Sequence, residues 1–446
     1  MKLALALGAL VLGWQLFIPP VVGLANNGDF HKVLGGFSLA APIADEYKYA
    51  TGTYNFNPDN HVVFGFFSTE QLLALISIGL NTLVSKAGTF DLRFIGLVHA
   101  LLYLLAFRLF LPLMRDWDRW RRWTCVALLL LVFGDVMYVA ELNSFYMDVP
   151  AFLFFLLSAV FLCRVLKWQR RTDALAFLVC AVCMIASKAQ HAPLGLIIAL
   201  LLATRSRIFL PGLGRMARFA AICALVAAPL AMLKATPWDY SATPIFSQVF
   251  YGILPRAKNP DREMKILGLD ESYRKYIGKH AYSEGSPVND PNFARAFLNT
   301  VSYPRLGLLF LRRPGRGYVL LTTGLSEAGR QRPYVGNFDR SAGLWDSAES
   351  HAFSTWSVVK AKLFEGHGAI FLTYTALLAI ALPIVLWIRR SKLPAGSQAA
   401  GLTLVAMMLA ALFIAIVGDP LDCTRHAWLF IALSDTALVS LILVLR

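Results

Sequence analysis

Charge is what this sequence has little of. Asp, Glu, Lys and Arg make up 15% of its 446 residues and hydrophobic residues 57%, with a mean hydropathy of +0.58. A soluble domain carries about 25% charged residues, so a soluble fold is excluded and a polytopic membrane protein is expected. Acids are the scarcer sign: 27 stand against 42 Lys and Arg, a formal net charge of +15. The basic residues sit in short clusters between apolar runs, as lipid-headgroup anchoring and topology setting require. No RNA- or DNA-binding motif accompanies them, so nucleic acid is not expected as a partner. Cysteine is sparse too, at six positions, 125, 163, 180, 183, 223 and 423. Five lie in apolar runs, where Cys acts as a small hydrophobe. Cys180 and Cys183 have redox spacing but fall inside an expected span, so neither redox chemistry nor a disulfide framework is expected. The sequence lacks a Gly-rich phosphate loop, an HExxH motif, a Cys/His cluster, internal repeats and low-complexity tracts. No bound nucleotide and no metal or other cofactor is predicted.

What is present is a series of apolar runs of about 20 residues, each long enough to cross the hydrocarbon core. They fall at 3–25, 93–113, 123–141, 149–166, 172–187, 190–204, 215–233, 367–388, 398–417 and 427–445. Residues 69–85 are a weaker eleventh. If 69–85 does not cross and Lys2 is cytoplasmic, four basic loops share one side: Arg115/Arg119/Arg121/Arg122, Lys167/Arg170/Arg171, Arg205/Arg207/Arg215/Arg218 and Arg389/Arg390/Lys392. A crossing at 69–85 would turn all four outward, against the positive-inside rule. Segment 69–85 therefore reads as a juxtamembrane helix with a polar edge of Glu70, Gln71 and Asn81. Residues 1–25 have some character of a signal peptide, but the long apolar run interrupted by Pro19-Pro20 favours a retained first span. The expected fold is an all-α polytopic bundle of about 10 transmembrane helices with juxtamembrane helices in the first outer loop. It divides into an N-terminal transmembrane module 1–233 with outer loop 26–92, an extracytoplasmic segment 234–366, and C-terminal spans 367–446. Pro, Gly and charge break 234–366 throughout, which suggests helices resting on the membrane surface.

Every conspicuous polar group then faces outward. Asp45-Glu46, with Lys48 and Tyr49, lies about twenty residues beyond the first span, where a carboxylate can take a proton from an attacking hydroxyl or amine. Asp148 closes the turn from Glu141 and opens a helix, where it could also act as an N-cap. Lys188, followed by Gln190 and His191, and Arg425, followed by His426, are cations on the face where cations are disfavoured. Both suit an anion such as a phosphate, although Lys188 could snorkel to headgroups and Arg425 could pair with Asp422. Asp135 lies within the third span, within expected reach of His99 or Arg93, and Asp435 lies in the last; an intramembrane acid is costly and often functional. Phe145, Tyr146, Tyr240, Phe250 and Tyr251 read as interface-belt aromatics more than sugar-stacking platforms, with Tyr146 kept as a substrate-binding candidate. Acids and cations level with the headgroups suit a lipid whose phosphate sits at the interface.

The order of these features resembles the C-superfold glycosyltransferases (GT-C): an apolar span, an outer loop with Asp45-Glu46-Tyr47-Lys48-Tyr49-Ala50, a surface helix, and Asp91-Leu92-Arg93 opening the second span. It is most similar to the protein O-mannosyltransferases and the lipid A aminoarabinose transferases. Tyr146-Met147-Asp148-Val149-Pro150, Ser187-Lys188 with Pro193-Leu194-Gly195, and the long outer segment after the seventh span also match. The resemblance covers 1–233 and extends over the remainder only in layout. It implies an inverting transfer of a monosaccharide from a polyprenyl-phosphate donor to a lipid, glycan or protein acceptor, at a bacterial inner membrane and on its periplasmic side. By match, Asp45 with Glu46 would be base or acceptor positioner and Asp148 the second-loop acid. Lys188, Arg425 and His426 would bind the donor phosphate. Many members need no metal, and some relatives hold a divalent cation on these acids. The chain is shorter than typical protein O-mannosyltransferases, and 234–366 carries no family signature, which leaves the acceptor open. A polyprenyl-diphosphate-glycan polymerase or ligase would instead rely on long-loop arginines such as Arg305, Arg312 and Arg313. A lipid-glycan flippase would show repeats and broken midplane helices.

Overall fold

The computed structural model describes residues 1–42, 47–57, 66–85 and 88–445. Among the described residues, six helices are long and apolar enough to cross a membrane: Arg93–Met114, Asp148–Trp168, Arg215–Ala235, Gly368–Ile388, Ser397–Gly418 and Trp428–Leu445. A seventh crossing is reached if the pair Arg119–Phe133 and Val136–Leu142, bent by 57°, forms one span. The expected 123–141 is thus not one continuous helix. Asp135 accepts a hydrogen bond from Met137 N at 3.0 Å and starts a new helix, while Gln15 Nε2 donates to the Gly134 carbonyl at the break. Three other expected spans are short. Lys2–Phe17 stops before Pro19-Pro20, because the residue preceding proline is driven from the helical region. Arg171–Ile185 and Leu194–Phe209 have 15 and 16 residues. Length and apolarity therefore support six or seven spans, fewer than about 10.

Successive helices reverse direction and sort polar groups to the two ends of the bundle. At one end the basic loops are tied together. Lys167 pairs with Asp116 at 2.7 Å, Arg164 with Asp173 at 2.8 Å, and Arg121 and Arg389 donate to the Leu443 and Leu445 carbonyls at 2.9 and 2.8 Å. Cations at a helix C-terminus satisfy carbonyls that have no intrahelical partner. Asp148, Lys188 and Arg425 lie at the opposite end.

Helix Thr69–Val84 is capped by Ser68 and Gln71 in a capping box. Of its expected polar edge, Glu70 and Asn81 are buried at 0–1% exposure and Gln71 is half-buried, while Leu72, Leu75, Ile76, Leu83 and Val84 are exposed. An inside-out amphipathic helix suits a lipid interface. Beside it lies a departure from an all-α fold. Leu39–Ala40, Thr53–Phe56 and Thr89–Asp91 form a small antiparallel sheet, Tyr54 opposite Phe90. The Thr-Tyr-Asn-Phe strand places Tyr54 inward and Thr53 and Asn55 outward, the period-2 pattern of a half-buried strand.

The 234–366 segment builds part of the core itself. Phe246, Phe250, Tyr273, Tyr276, Phe293 and Phe297 pack at ring separations of 4.7–6.4 Å. The chain from 336 to 348 then pairs with the first loop: Gly23 N donates to Asn337 O, Ala25 N to Gly336 O, and Gly336 N to Tyr47 O. A Cβ on Gly336 would lie 1.9 Å from the Lys48 carbonyl, so only glycine permits this approach. Helix Thr355–Phe364 next packs Lys360 against Asp435 at 2.8 Å, with Lys360 2% and Asp435 0% exposed. The other Asp435 oxygen accepts from Tyr138 and Trp356, each at 2.8 Å. Asp435 is thus a fully partnered internal ion pair.

Candidate functional site

Four connecting segments bring acids and bases to one place at the end of the bundle opposite the basic loops. The first follows helix Lys2–Phe17, where Asn26, Asn27 and Asp29 form side-chain-stabilised turns: Asn26 Oδ1 accepts from Gly28 N and Phe30 N, and Asn27 Oδ1 from Asp29 N. Those turns aim Asp29 inward. Its carboxylate pairs with Lys32 at 2.5 Å and with Arg425. Lys32 Nζ also donates to the Tyr240 hydroxyl oxygen at 3.2 Å and sits over the Tyr240 and Phe66 rings at 4.9 and 5.4 Å.

The second segment is the turn from Glu141 to Asp148. Asn143 anchors it: its Nδ2 donates to the Leu16 and Val22 carbonyls at 3.0 and 2.8 Å, pinning the turn to the end of the first helix. A Cβ on Gly96 would meet Asn143 Oδ1 at 1.8 Å, so glycine is required there. Tyr146 is buried in this turn, its hydroxyl donating to Ala25 O and accepting from Asn27 N, with Arg425 5.2 Å above its ring. Phe145 and Tyr146 are therefore core residues, not belt aromatics; they pack on Phe30, Tyr54 and Phe90. Asp148 opens helix Asp148–Trp168 without capping it. Its carboxylate instead takes Lys188 Nζ at 2.9 and 3.2 Å and His191 Nε2 at 2.9 Å.

The third segment, 186–193, thus carries Lys188 into the interior, 5% exposed and paired with Asp148. Gln190 Nε2 reaches across to the His426 carbonyl at 3.0 Å. The fourth segment holds Asp419, Asp422, Arg425 and His426. Arg425 Nε pairs with Asp422 at 3.0 Å while its Nη1 holds Asp29, so one guanidinium bridges the first and last loops. Asn27 Nδ2 completes the bridge to Asp422 at 3.1 Å. Glu141 lies within electrostatic reach of Asp148, Arg425, Asp422 and Lys188, and its buried Oε2 has no hydrogen-bond partner.

The loop groups titrate accordingly. Burial pushes the Asp29 carboxyl up, but Arg425, Lys32 and Lys188 outweigh it and hold the group well below the usual carboxylate range. Asp422 is likewise lowered; Arg425 and His426 overcome its burial. Burial raises Asp419 to about 7, and burial with the charges of Arg425 and Lys188 lowers His426 to about 3. Near neutral pH the site therefore contains ionised Asp29 and Asp422 beside an uncharged His426.

Of the expected site residues, Asp148, Lys188, His191, Gln190, Arg425, His426 and Tyr146 come together here. Asp45 and Glu46 lie outside the described residues. Lys48 and Tyr49 turn away: Lys48 pairs with Asp346 at 3.5 Å, both more than half exposed, and Arg340 stacks over Tyr49 at 5.1 Å. Asp135 reaches neither His99 nor Arg93. Its side chain accepts from the Met137 and Ser357 backbones, His99 pairs with Glu70 at 3.3 Å, and Arg93 pairs with Asp91. Asp135 is a structural cap, because the helix break consumes its carboxylate. Asp29 and Lys32 escape a sequence reading that looks for paired acids, although an acid in an Asn-Asn-Gly-Asp turn just beyond an apolar run is a usable signal. Among the described residues no three His, Cys, Asp or Glu side chains are grouped to hold a metal ion.

No curated protein and no solved structure matches the chain. Residues 1–445 match the family described as the YfdI N-terminal transmembrane domain. With nearly its whole length matched, this multi-pass membrane chain belongs to the YfdI N-terminal transmembrane domain family.

Proposed function

We propose that the protein is an inverting membrane glycosyltransferase that moves a monosaccharide from a polyprenyl-phosphate donor to a lipid, glycan or protein acceptor. The observation that carries this reading is the meeting of Asp29, Asp148 and Asp422 with Lys32, Lys188 and Arg425 at one end of an apolar bundle, away from the arginine-rich loops. Cations held at the headgroup level suit a lipid phosphate, and ionised acids beside them suit a nucleophile that must lose a proton. A GT-C-like layout of about ten spans would require helices Lys2–Phe17, Arg171–Ile185 and Leu194–Phe209 to cross along with the six long helices and the bent pair. The membrane would be a bacterial inner membrane, with the site on its periplasmic side.

In the reaction the acceptor's oxygen or nitrogen attacks the anomeric carbon as the bond to the donor phosphate breaks on the opposite face. The acceptor's proton passes to a first-loop acid, and the phosphate leaves on the lipid as a dianion. Lys188 and Arg425 stabilise that dianion, exchanging part of their pairing with Asp148, Asp29 and Asp422 for phosphate oxygens. Asp148 orients Lys188 and His191. Asp29 joins Asp45 and Glu46 as a candidate base, favoured by its ionisation and its contact with Arg425.

The test is transfer from a labelled polyprenyl-phosphate sugar by purified protein in nanodiscs. Asp29→Asn and Arg425→Gln are expected to lower turnover at least 100-fold, while Arg312→Gln and Arg313→Gln stay near wild type. Full activity in Asp29→Asn and Asp45→Asn alike would sink the assignment. A larger loss at Arg305, Arg312 or Arg313 would move it to polyprenyl-diphosphate chemistry.

A further inference from the structure

An apolar cavity lies inside the bundle, toward the end that carries the basic loops. It measures about 340 Å³, and its walls are almost wholly apolar; Phe110, Leu166, Leu393 and Leu443 mark its lower end and Gly134 and Thr436 its upper. An apolar cavity of roughly 150 Å³ already stays dry and takes up a benzene-sized molecule. Water is therefore a poor occupant of this one, and an apolar chain a good one.

One polar group with unmet hydrogen-bonding capacity lies in its wall, and two more lie on residues that adjoin its lining. Ser158 Oγ, in the wall, is buried without a partner. Gln398 Nε2, next to the lining residue Ser397, is a buried donor with nothing to donate to. Arg121 Nε is a third, on a side chain whose Nη2 already holds the carbonyl of the lining residue Leu443. Buried donors without acceptors are uncommon and call for an explanation. Here two of them, one cationic, belong to side chains next to or hydrogen-bonded to the lining residues Ser397 and Leu443, and Arg389 donates to Leu445 O at the same helix end. The combination matches an amphiphile with an acyl chain and an anionic, oxygen-rich head.

None of Asp29, Asp148, Lys188 and Arg425 lines the cavity. Tyr138 stacks on Phe152 at 5.0 Å, Phe152 packs on Trp428 at 4.9 Å, and the Trp428 indole donates to Met137 O, a layer beneath Asp148 and Arg425. The lining residues Phe110, Leu166, Leu393 and Leu443 place the other end of the cavity beside the basic loops.

We propose that this cavity binds one acyl chain of an anionic phospholipid, whose phosphate engages Arg121 and Gln398 in the leaflet facing the basic loops. The proposal is independent of the transferase reading, since it concerns a different site and a different lipid. The experiment is native mass spectrometry and lipid extraction of protein purified in mild detergent, with melting temperature measured after adding phosphatidylglycerol or phosphatidylcholine. Wild type is expected to retain about one phosphatidylglycerol per chain, and to melt several degrees higher with phosphatidylglycerol but not with phosphatidylcholine. Ala159→Phe, which fills the cavity, should fold with an unchanged lipid-free melting temperature and lose both effects. Arg121→Gln should lose the headgroup preference at least tenfold. Retention of phosphatidylglycerol by folded Ala159→Phe would overturn the proposal. So would equal stabilisation of wild type by both lipids, or a polyprenyl lipid displaced by the cavity-filling substitution.

Discussion

Replacing Asp148 by Asn keeps the shape of a buried side chain and deletes its charge, which isolates the electrostatics of the candidate site. In the wild type Lys188 Nζ lies 2.9 Å from one Asp148 oxygen, and both side chains are at most 6% exposed. At 2.9 Å and an effective dielectric of about 20, their attraction is on the order of 6 kcal/mol. Desolvation offsets much of that, but breaking such a pair leaves an uncompensated buried charge and typically costs about 3–5 kcal/mol. Asp148→Asn should fall in that range, because the Lys188 cation loses its nearest anion. Lys188→Met should cost less, about 1–3 kcal/mol, since His191 Nε2 at 2.9 Å still donates to Asp148. The double variant should cost well under the sum of the two, with a coupling of at least about 2 kcal/mol. Unfolding followed by tryptophan fluorescence in detergent, titrated with denaturing surfactant, gives the four free energies. Additivity within about 0.5 kcal/mol would falsify the pairing and with it the geometry on which the phosphate-binding role rests.

Other expectations follow from the same contacts. Gly96→Ala forces a methyl group into Asn143 Oδ1, 1.8 Å away, and should destabilise by about 1–3 kcal/mol, read as a lower melting temperature. Lys360→Met strands Asp435 in the core and should cost about 3–5 kcal/mol, with Lys360→Met/Asp435→Leu closer to wild type in the same titration. The folded Asp419 carboxyl titrates at about 7, above its ordinary 3.8, so the folded state binds this proton more tightly than the unfolded chain. Its contribution is complete below about pH 4 and is lost progressively as pH rises through 7. Asp419→Asn should therefore flatten the fall in melting temperature between pH 5 and pH 8. Asp29, held below its ordinary range, works in the opposite sense. Its contribution is present above about pH 4 and is lost on acidification through its folded value, a loss that Asp29→Asn should remove.

The membrane class, the six longest candidate spans, the apolar helix Thr69–Val84 and the separation of basic loops from Asp148, Lys188 and Arg425 are legible in the sequence. They depend on the length of apolar runs and on where cations interrupt them, and both are local. Even so, length misled where Pro19-Pro20 ends a helix and where Asp135 caps a new one, because a polar side chain's role depends on what it meets. Lys188 looked free for an anion and is engaged by Asp148; Tyr146 looked interfacial and is core. Asp29 is less conspicuous in the sequence than the Asp45-Glu46 pair, although its turn directly follows an apolar run. Only the tertiary structure joins Asp29 to Arg425, 396 residues apart, because that contact is made by the closing of the bundle and is encoded in neither loop alone. The same closure leaves the apolar cavity beneath the site, since close packing is a property of several helices meeting and no single helix records where it fails.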